Sequence, residues 1–228
     1  MNDNSQQLPW YRQIAAVIPR YIYIKSIGTT LFIFTFFGAY FYLLKSPAYP
    51  TTVMPVIFLD RMISFQPQAL PMYISLWVYV SLPSALLATQ REMFVYGMSM
   101  AVTCTVGLVI FYFWPTVVPV ANIDWTQYPD VNLLKSMDAS GNASPSLHVA
   151  TAIFSGIWLH HLLHRFTAPQ WILILNWGWC IGIIYSTIAT RQHVALDVLA
   201  GLALGALTAY LALQKMPKGS AVSFPVES

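Results

Sequence analysis

Charge is what this chain lacks most: 8% of its residues are Asp, Glu, Lys or Arg, against 57% hydrophobic, and the mean hydropathy is +0.59. A soluble domain carries about a quarter of its residues as charges, so a soluble fold is excluded and lipid is the solvent. Cysteine is scarce as well. Cys104 and Cys180 both fall within long apolar segments, which excludes a disulfide framework and a cysteine-ligated metal and leaves packing as their role. The net charge of +3 is spread along the chain, so there is no basic patch for nucleic acid to bind. No cofactor box is visible. No small-residue cleavage site follows the first apolar stretch, so the first span is expected to stay in the mature protein.

Long apolar runs are what the chain does have. Those at 27–44, 71–88, 93–114, 146–163, 171–189 and 194–213 are each long enough to cross a bilayer at about 1.5 Å per residue. The fold class expected is therefore all-α, a polytopic membrane helix bundle with about six transmembrane helices. Residues 1–26 form an interfacial segment, 27–213 the transmembrane domain and 214–228 a tail. Six crossings place both termini on one side. That side carries Arg12, Arg20, Lys25, Arg91, Arg165, Lys215 and Lys218, against Lys45, Arg61, Lys135 and Arg191 opposite. By the positive-inside rule the termini are expected in the cytoplasm, with the longer loops and Asp60, Asp124, Asp130 and Asp138 outside. A chain of this kind suggests a bacterial inner membrane, with the periplasm as the outer side. Trp10, Ile14, Val17, Ile18 and Tyr21 repeat at helical spacing, as in a helix lying at the interface, with a frayed polar tail as the alternative. In the 45–70 loop, Val56 to Leu59 are too short to cross and are expected to dip into the outer interface.

Ionisable groups at membrane depth are costly and point to function. Two places carry them. In Ala143-Ser144-Pro145-Ser146-Leu147-His148-Val149-Ala150, Ser144 is expected to cap a helix opening at Pro145, with His148 in its first turn. In Thr190-Arg191-Gln192-His193-Val194-Ala195-Leu196-Asp197, His193 and Asp197 lie four apart on one helical face, so the carboxylate can hold the imidazole. Both helix starts fall on the outer side. Two helix N-termini, two histidines and an arginine converging there suit an anionic phosphate, and the set looks like a phosphoryl-transfer site.

Pro145-Ser146-Leu147-His148 followed by Arg191-Gln192-His193 and Asp197 resembles the type 2 phosphatidic acid phosphatase superfamily, which includes membrane lipid phosphatases and sphingolipid head-group transferases. The resemblance covers the C-terminal half of the chain. It implies that His193 attacks phosphorus, that His148 protonates the departing oxygen and that Asp197 supports His193. It further implies that Ser146 and Arg191 hold phosphate oxygens, that no metal is needed, and that the substrate is a lipid phosphate reached from the bilayer. A neutral imidazole is a competent nucleophile, and a phosphohistidine divides the reaction into two displacements.

The chain departs from the family pattern in three places. Leu147 stands where the phosphatase signature has Gly, and Ser186-Thr187 where it has Ser-Arg. Arg191, four residues after Thr187, is expected to substitute for the lost arginine on a continuing helix. The family's first motif, a lysine followed by Arg-Pro, has no match, and Lys135 and Arg91 are the candidates. The serine-leucine-histidine and glutamine-histidine variants resemble the branch that contains inositol phosphorylceramide synthases. Three functions follow: a lipid phosphatase acting on the outer face, a phosphotransferase with a lipid alcohol as acceptor, and a non-catalytic lipid-phosphate binder.

The remaining patterns read as architecture. Gly178 with Gly182, and Gly201 with Gly205, are small pairs that permit close helix approach, the second continuing the His193–Asp197 stripe toward the bundle. His160, His161 and His164 end the fourth span as interfacial residues rather than ligands. Trp114, Trp125, Trp171, Trp177 and Trp179 fit interfacial anchoring belts. Oligomeric state is not legible.

Overall fold

The computed structural model describes residues 8–138 and 141–216; the polar start at 1–7 and Lys218 lie outside them. Apolar runs become long helices because every backbone group must be satisfied within the segment when the solvent is lipid. Among the described residues, five stretches are long and apolar enough to cross a membrane. These are α2 (Ile22–Lys45), the broken stretch Pro67–Leu86, α7 (Gln90–Phe113), α10 (Gln170–Ala189) and α11 (Ala195–Gln214). The sixth expected span is α9 (Leu147–Arg165), which has the length but carries His148, His160, His161, His164 and Arg165. It tolerates them because they sit at its ends, His148 in the first turn and the other four in the last two turns, while 11 of its 19 residues are buried, packed against α10 and α11.

The second span is three short helices in tandem: α4 (Leu70–Ile74), α5 (Leu76–Tyr79) and α6 (Ser81–Leu86). Pro71 and Pro83 lack the N–H a continuous helix needs. The hydroxyls of Ser75, Ser81 and Ser84 donate to the carbonyls of Met72, Val78 and Ser81, competing with the helical ladder.

Hydrogen bonds at the two ends establish the up-and-down order. At the terminal end Arg165 pairs with Glu92 at 2.5 Å, Arg91 donates to the Lys215 carbonyl and Lys25 to the Ala85 carbonyl. At the opposite end β1 (Thr52–Val53) and β2 (Thr116–Val117) pair in parallel. There Trp114 also donates to Thr52 and Lys135 to the Arg191 carbonyl. The N-terminal segment forms the helix α1 (Trp10–Val17), with Trp10 edge-on to Trp171. The segment 56–59 leads into a short helix, α3 (Phe58–Met62), whose Asp60 is buried against the start of α11.

Four expectations are corrected. Helix α9 opens at Leu147 with Ser146 as its cap, because the Ser146 hydroxyl accepts from Val149 N–H at 3.2 Å; Ser144 instead receives Thr116 Oγ1 on its own N–H. Helix α10 stops at Ala189, where Arg191 takes φ 58°, so Thr187 and Arg191 do not share a continuing helix. Gly178 faces open space, whereas Gly182 meets Met72. Trp179 lies midway along α10 and donates to Ser75 Oγ, away from either end of the span.

Candidate active site

The close approach of α9 and α11 builds the site. A Cβ at Gly201 would overlap the Ser146 carbonyl oxygen, and one at Gly205 the Ala150 carbonyl oxygen, so only glycine lets the two backbones touch. At the top of this contact Ser146 N–H donates to the Asp197 carbonyl at 3.0 Å. Residues about fifty positions apart in sequence are thereby joined at one end of the bundle, and His148 and His193 line the same cavity.

Each imidazole is held from a different side. The His148 ring stacks on Tyr73 of α4, centroids 3.9 Å apart and planes within 17°. His193 Nδ1 faces Asp197 Oδ2 at 3.6 Å, an ion-pair separation too long for a hydrogen bond. That oxygen also accepts from Val194 N–H at 3.0 Å, so Asp197 both caps α11 and faces the imidazole. This leaves His193 Nε2 as the atom turned away from the carboxylate. Among the described residues, eight buried side-chain polar atoms have no hydrogen-bond partner, and five of them belong to His148, Gln192, His193 and Asp197. Native proteins satisfy nearly all such atoms, so this concentration singles out the four residues as a candidate site.

The turn carrying His193 is over-determined. The Thr187 carbonyl accepts from both Gln192 and His193 N–H groups. Arg191, in the left-handed region that L side chains avoid, donates through Nη1 to the Asp60 carbonyl at 3.1 Å and through Nη2 to the Ile63 carbonyl at 2.9 Å. Its own carbonyl accepts from Lys135 Nζ. Two of the guanidinium's five donors are thus spent on anchoring α3.

Asp60 is the residue that sequence reading passed over. Its Oδ1 accepts from Ala195 N–H at 2.7 Å and its Oδ2 from Ile57 N–H at 2.8 Å, with the side chain buried. The first amides of α11 are therefore served by two carboxylates, Asp60 and Asp197. Of the two helix starts expected to receive an anion, α9 remains the better placed. Ser146, fully buried, spends an acceptor lone pair on its helix and keeps its hydroxyl proton to donate. Lys135 reaches the site end, whereas Arg91 sits at the opposite end against Lys215. An acid inside an apolar run too short to cross was the signal for Asp60; Gln192 was flagged by nothing but its neighbours.

Two imidazoles and a carboxylate thus lie together at one end of a bundle of apolar helices. The chain belongs to the PAP2 superfamily, whose model matches residues 92–220, more than half of the chain. No curated protein and no solved structure matches it. Superfamily members are phosphatases and phosphotransferases acting on phosphate esters. Asp60 and Tyr73 lie outside the matched residues.

Proposed function

We propose that this protein is an integral-membrane phosphatase that hydrolyses a lipid phosphate through a phosphohistidine at His193. The observation that carries this reading is the Ser146–Asp197 backbone bond, which sets the two histidine-bearing helix starts together on one cavity. His193 Nε2 directs its lone pair at phosphorus, and the N–P bond forms as the bond to the lipid oxygen breaks. His148 gives its proton to that oxygen, releasing the lipid alcohol. In the second half, water attacks the phosphohistidine, His148 recovers a proton from it, the N–P bond breaks, and inorganic phosphate leaves. Asp197 steadies the imidazolium form of His193, while Ser146 and Arg191 offset charge on the transferred group. The excess of Lys and Arg at the terminal end supports cytoplasmic termini and a site on the outer face of a bacterial inner membrane.

Purified protein given phosphatidic acid, isoprenyl diphosphate and phosphatidylglycerophosphate, without added metal, is expected to release phosphate from at least one. His193→Ala is expected to abolish release; wild-type rates in that variant would reject the mechanism. A lipid alcohol included as acceptor distinguishes hydrolysis from transfer, since a new phosphorylated lipid would appear only in the second case.

A further inference from the structure

The site opens into a cavity of about 590 Å³ that does not end at the histidines. It continues between α2 and the rest of the bundle, lined on the α2 side by Phe32, Phe36 and Tyr40 and on the other by Leu76, Tyr96 and Met100. Helix α2 leaves room for it because it is barely embedded: among its described residues Lys25 alone is buried. The cavity follows α2 from Phe41 to Ile24, a rise of roughly 25 Å at about 1.5 Å per residue. One leaflet of the hydrocarbon core is only about 15 Å deep. The groove thus passes the bilayer midplane, polar at its histidine end and apolar along its length.

Its far end is shaped by three residues. Gly28 on α2 and Gly97 on α7 both line it, and a Cβ at either position would meet nothing within 4 Å, so these glycines widen the groove rather than bring helices together. Beyond them the Lys25 ammonium donates to the Val17 and Ala85 carbonyls and ends the apolar wall with a buried charge. A hydrocarbon terminus has no favourable interaction past that point.

We propose that this groove is the substrate's tail site, and that it selects a single hydrocarbon chain longer than one leaflet, with Gly28 and Gly97 setting the accepted length. The inference rests on the lipid-phosphate reading above and adds to it the shape of the lipid. The phosphate meets His148 and His193, and the chain extends along α2 to the Lys25 end. Because the competing medium is hydrocarbon rather than water, each methylene in the groove gains only its packing contacts with the groove wall, and these sum along the chain. A chain that reaches the end therefore outcompetes one that stops at the midplane.

Two probes separate this from the phosphatase reading: dodecyl phosphate, which stops near the midplane, and docosyl phosphate, which fills the groove. Wild-type protein is expected to favour docosyl phosphate in kcat/KM by about tenfold, as small packing gains sum over the ten additional methylenes. Gly28→Leu and Gly97→Leu block the inner end and bring the two substrates to near parity, while favouring the helices they sit in. Gly38→Leu puts the same bulk on α2 at a position off the cavity and is expected to keep the wild-type preference. Docosyl phosphate bearing a terminal diazirine is then photolysed with wild-type protein and with His193→Ala. Labelling within residues 24–29 and 93–97 supports the tail site whether or not turnover occurs. Labelling spread over lipid-facing helices, or an unchanged preference in both glycine variants, overturns it, even if phosphate is released. Inner-end labelling without phosphate release from wild-type protein overturns the phosphatase reading alone.

Discussion

Replacing Gly201 by alanine puts a methyl group where α9 and α11 already touch. The new carbon would overlap the Ser146 carbonyl oxygen and stand 3.1 Å from Val149 Cβ and 3.3 Å from Ala150 N. Two of those three atoms are backbone, so the clash cannot be relieved by turning a side chain. Restoring contacts to about 3.5 Å requires the helices to part by roughly 1 Å at this level. Overpacking of this kind costs about 1–3 kcal/mol, and losing a mid-helix glycine returns about 1 kcal/mol. The variant therefore remains folded, with only a modest loss of stability. The Ser146–Asp197 bond, 3.0 Å in the native protein, does not survive that separation, and His148 and His193 move apart with the helices that carry them. A misplacement of about 1 Å costs on the order of 100-fold in rate. Phosphate release by detergent-solubilised Gly201→Ala is expected to fall by that factor in kcat/KM, while thermal unfolding shifts by a few degrees. Gly178→Ala, facing open space, is expected to retain wild-type turnover and gain slightly in stability. Turnover of Gly201→Ala within about threefold of wild type would refute the reasoning, because the loss expected from misplacement is far larger.

Other substitutions probe separate parts of the account. Asp197→Asn keeps the nucleophile but weakens its support, so kcat is expected to fall to a measurable residue rather than to the blank level of His193→Ala; equal loss in both would make Asp197 more than a positioning group. Asp60→Ala strips the acceptor from the Ala195 and Ile57 amides, at about 1–3 kcal/mol for a buried donor left unpaired. Its unfolding temperature and its kcat should drop together, and an unchanged unfolding temperature would remove Asp60 from the site's support. Glu92→Gln breaks the pair with Arg165, whose side chains are 4% and 14% exposed, leaving a buried guanidinium at a cost of about 3 kcal/mol. That pair lies at the end of the bundle away from the histidines, so chemical denaturation should show the loss while the folded protein keeps its kcat. A proportional loss of kcat would couple the two ends.

The His193–Asp197 face was legible because its spacing is local. His193 and Asp197 are four residues apart, and Gly201 and Gly205 continue the same stripe, so helical geometry alone aligned them. The pairing of His148 with His193 followed from counting crossings, and backbone contact between their helices agrees with that count. What could not be read were features made by residues arriving from elsewhere. Ser144 and Ser146 are both good caps, and only the position of Thr116, which takes the Ser144 amide, decides that Ser146 begins α9. Arg191 leaves the helix because α3 supplies two carbonyls for its guanidinium, and no local pattern records α3's position. Asp60 closes the start of α11 across 135 residues. The second span reads as one hydropathic run, yet Pro71, Pro83 and three back-bonding serines divide it, a conflict that a hydropathy average hides.

Trapping the covalent intermediate tests the central claim most directly. Protein turning over phosphate-labelled lipid is quenched in alkali, which preserves phosphohistidine, then digested and mapped by mass spectrometry. Label is expected on His193, absent from His193→Ala, and still present in His148→Ala when the substrate carries a leaving group that departs without a proton. Label on His148 or on no histidine, or label persisting in His193→Ala, would contradict the account.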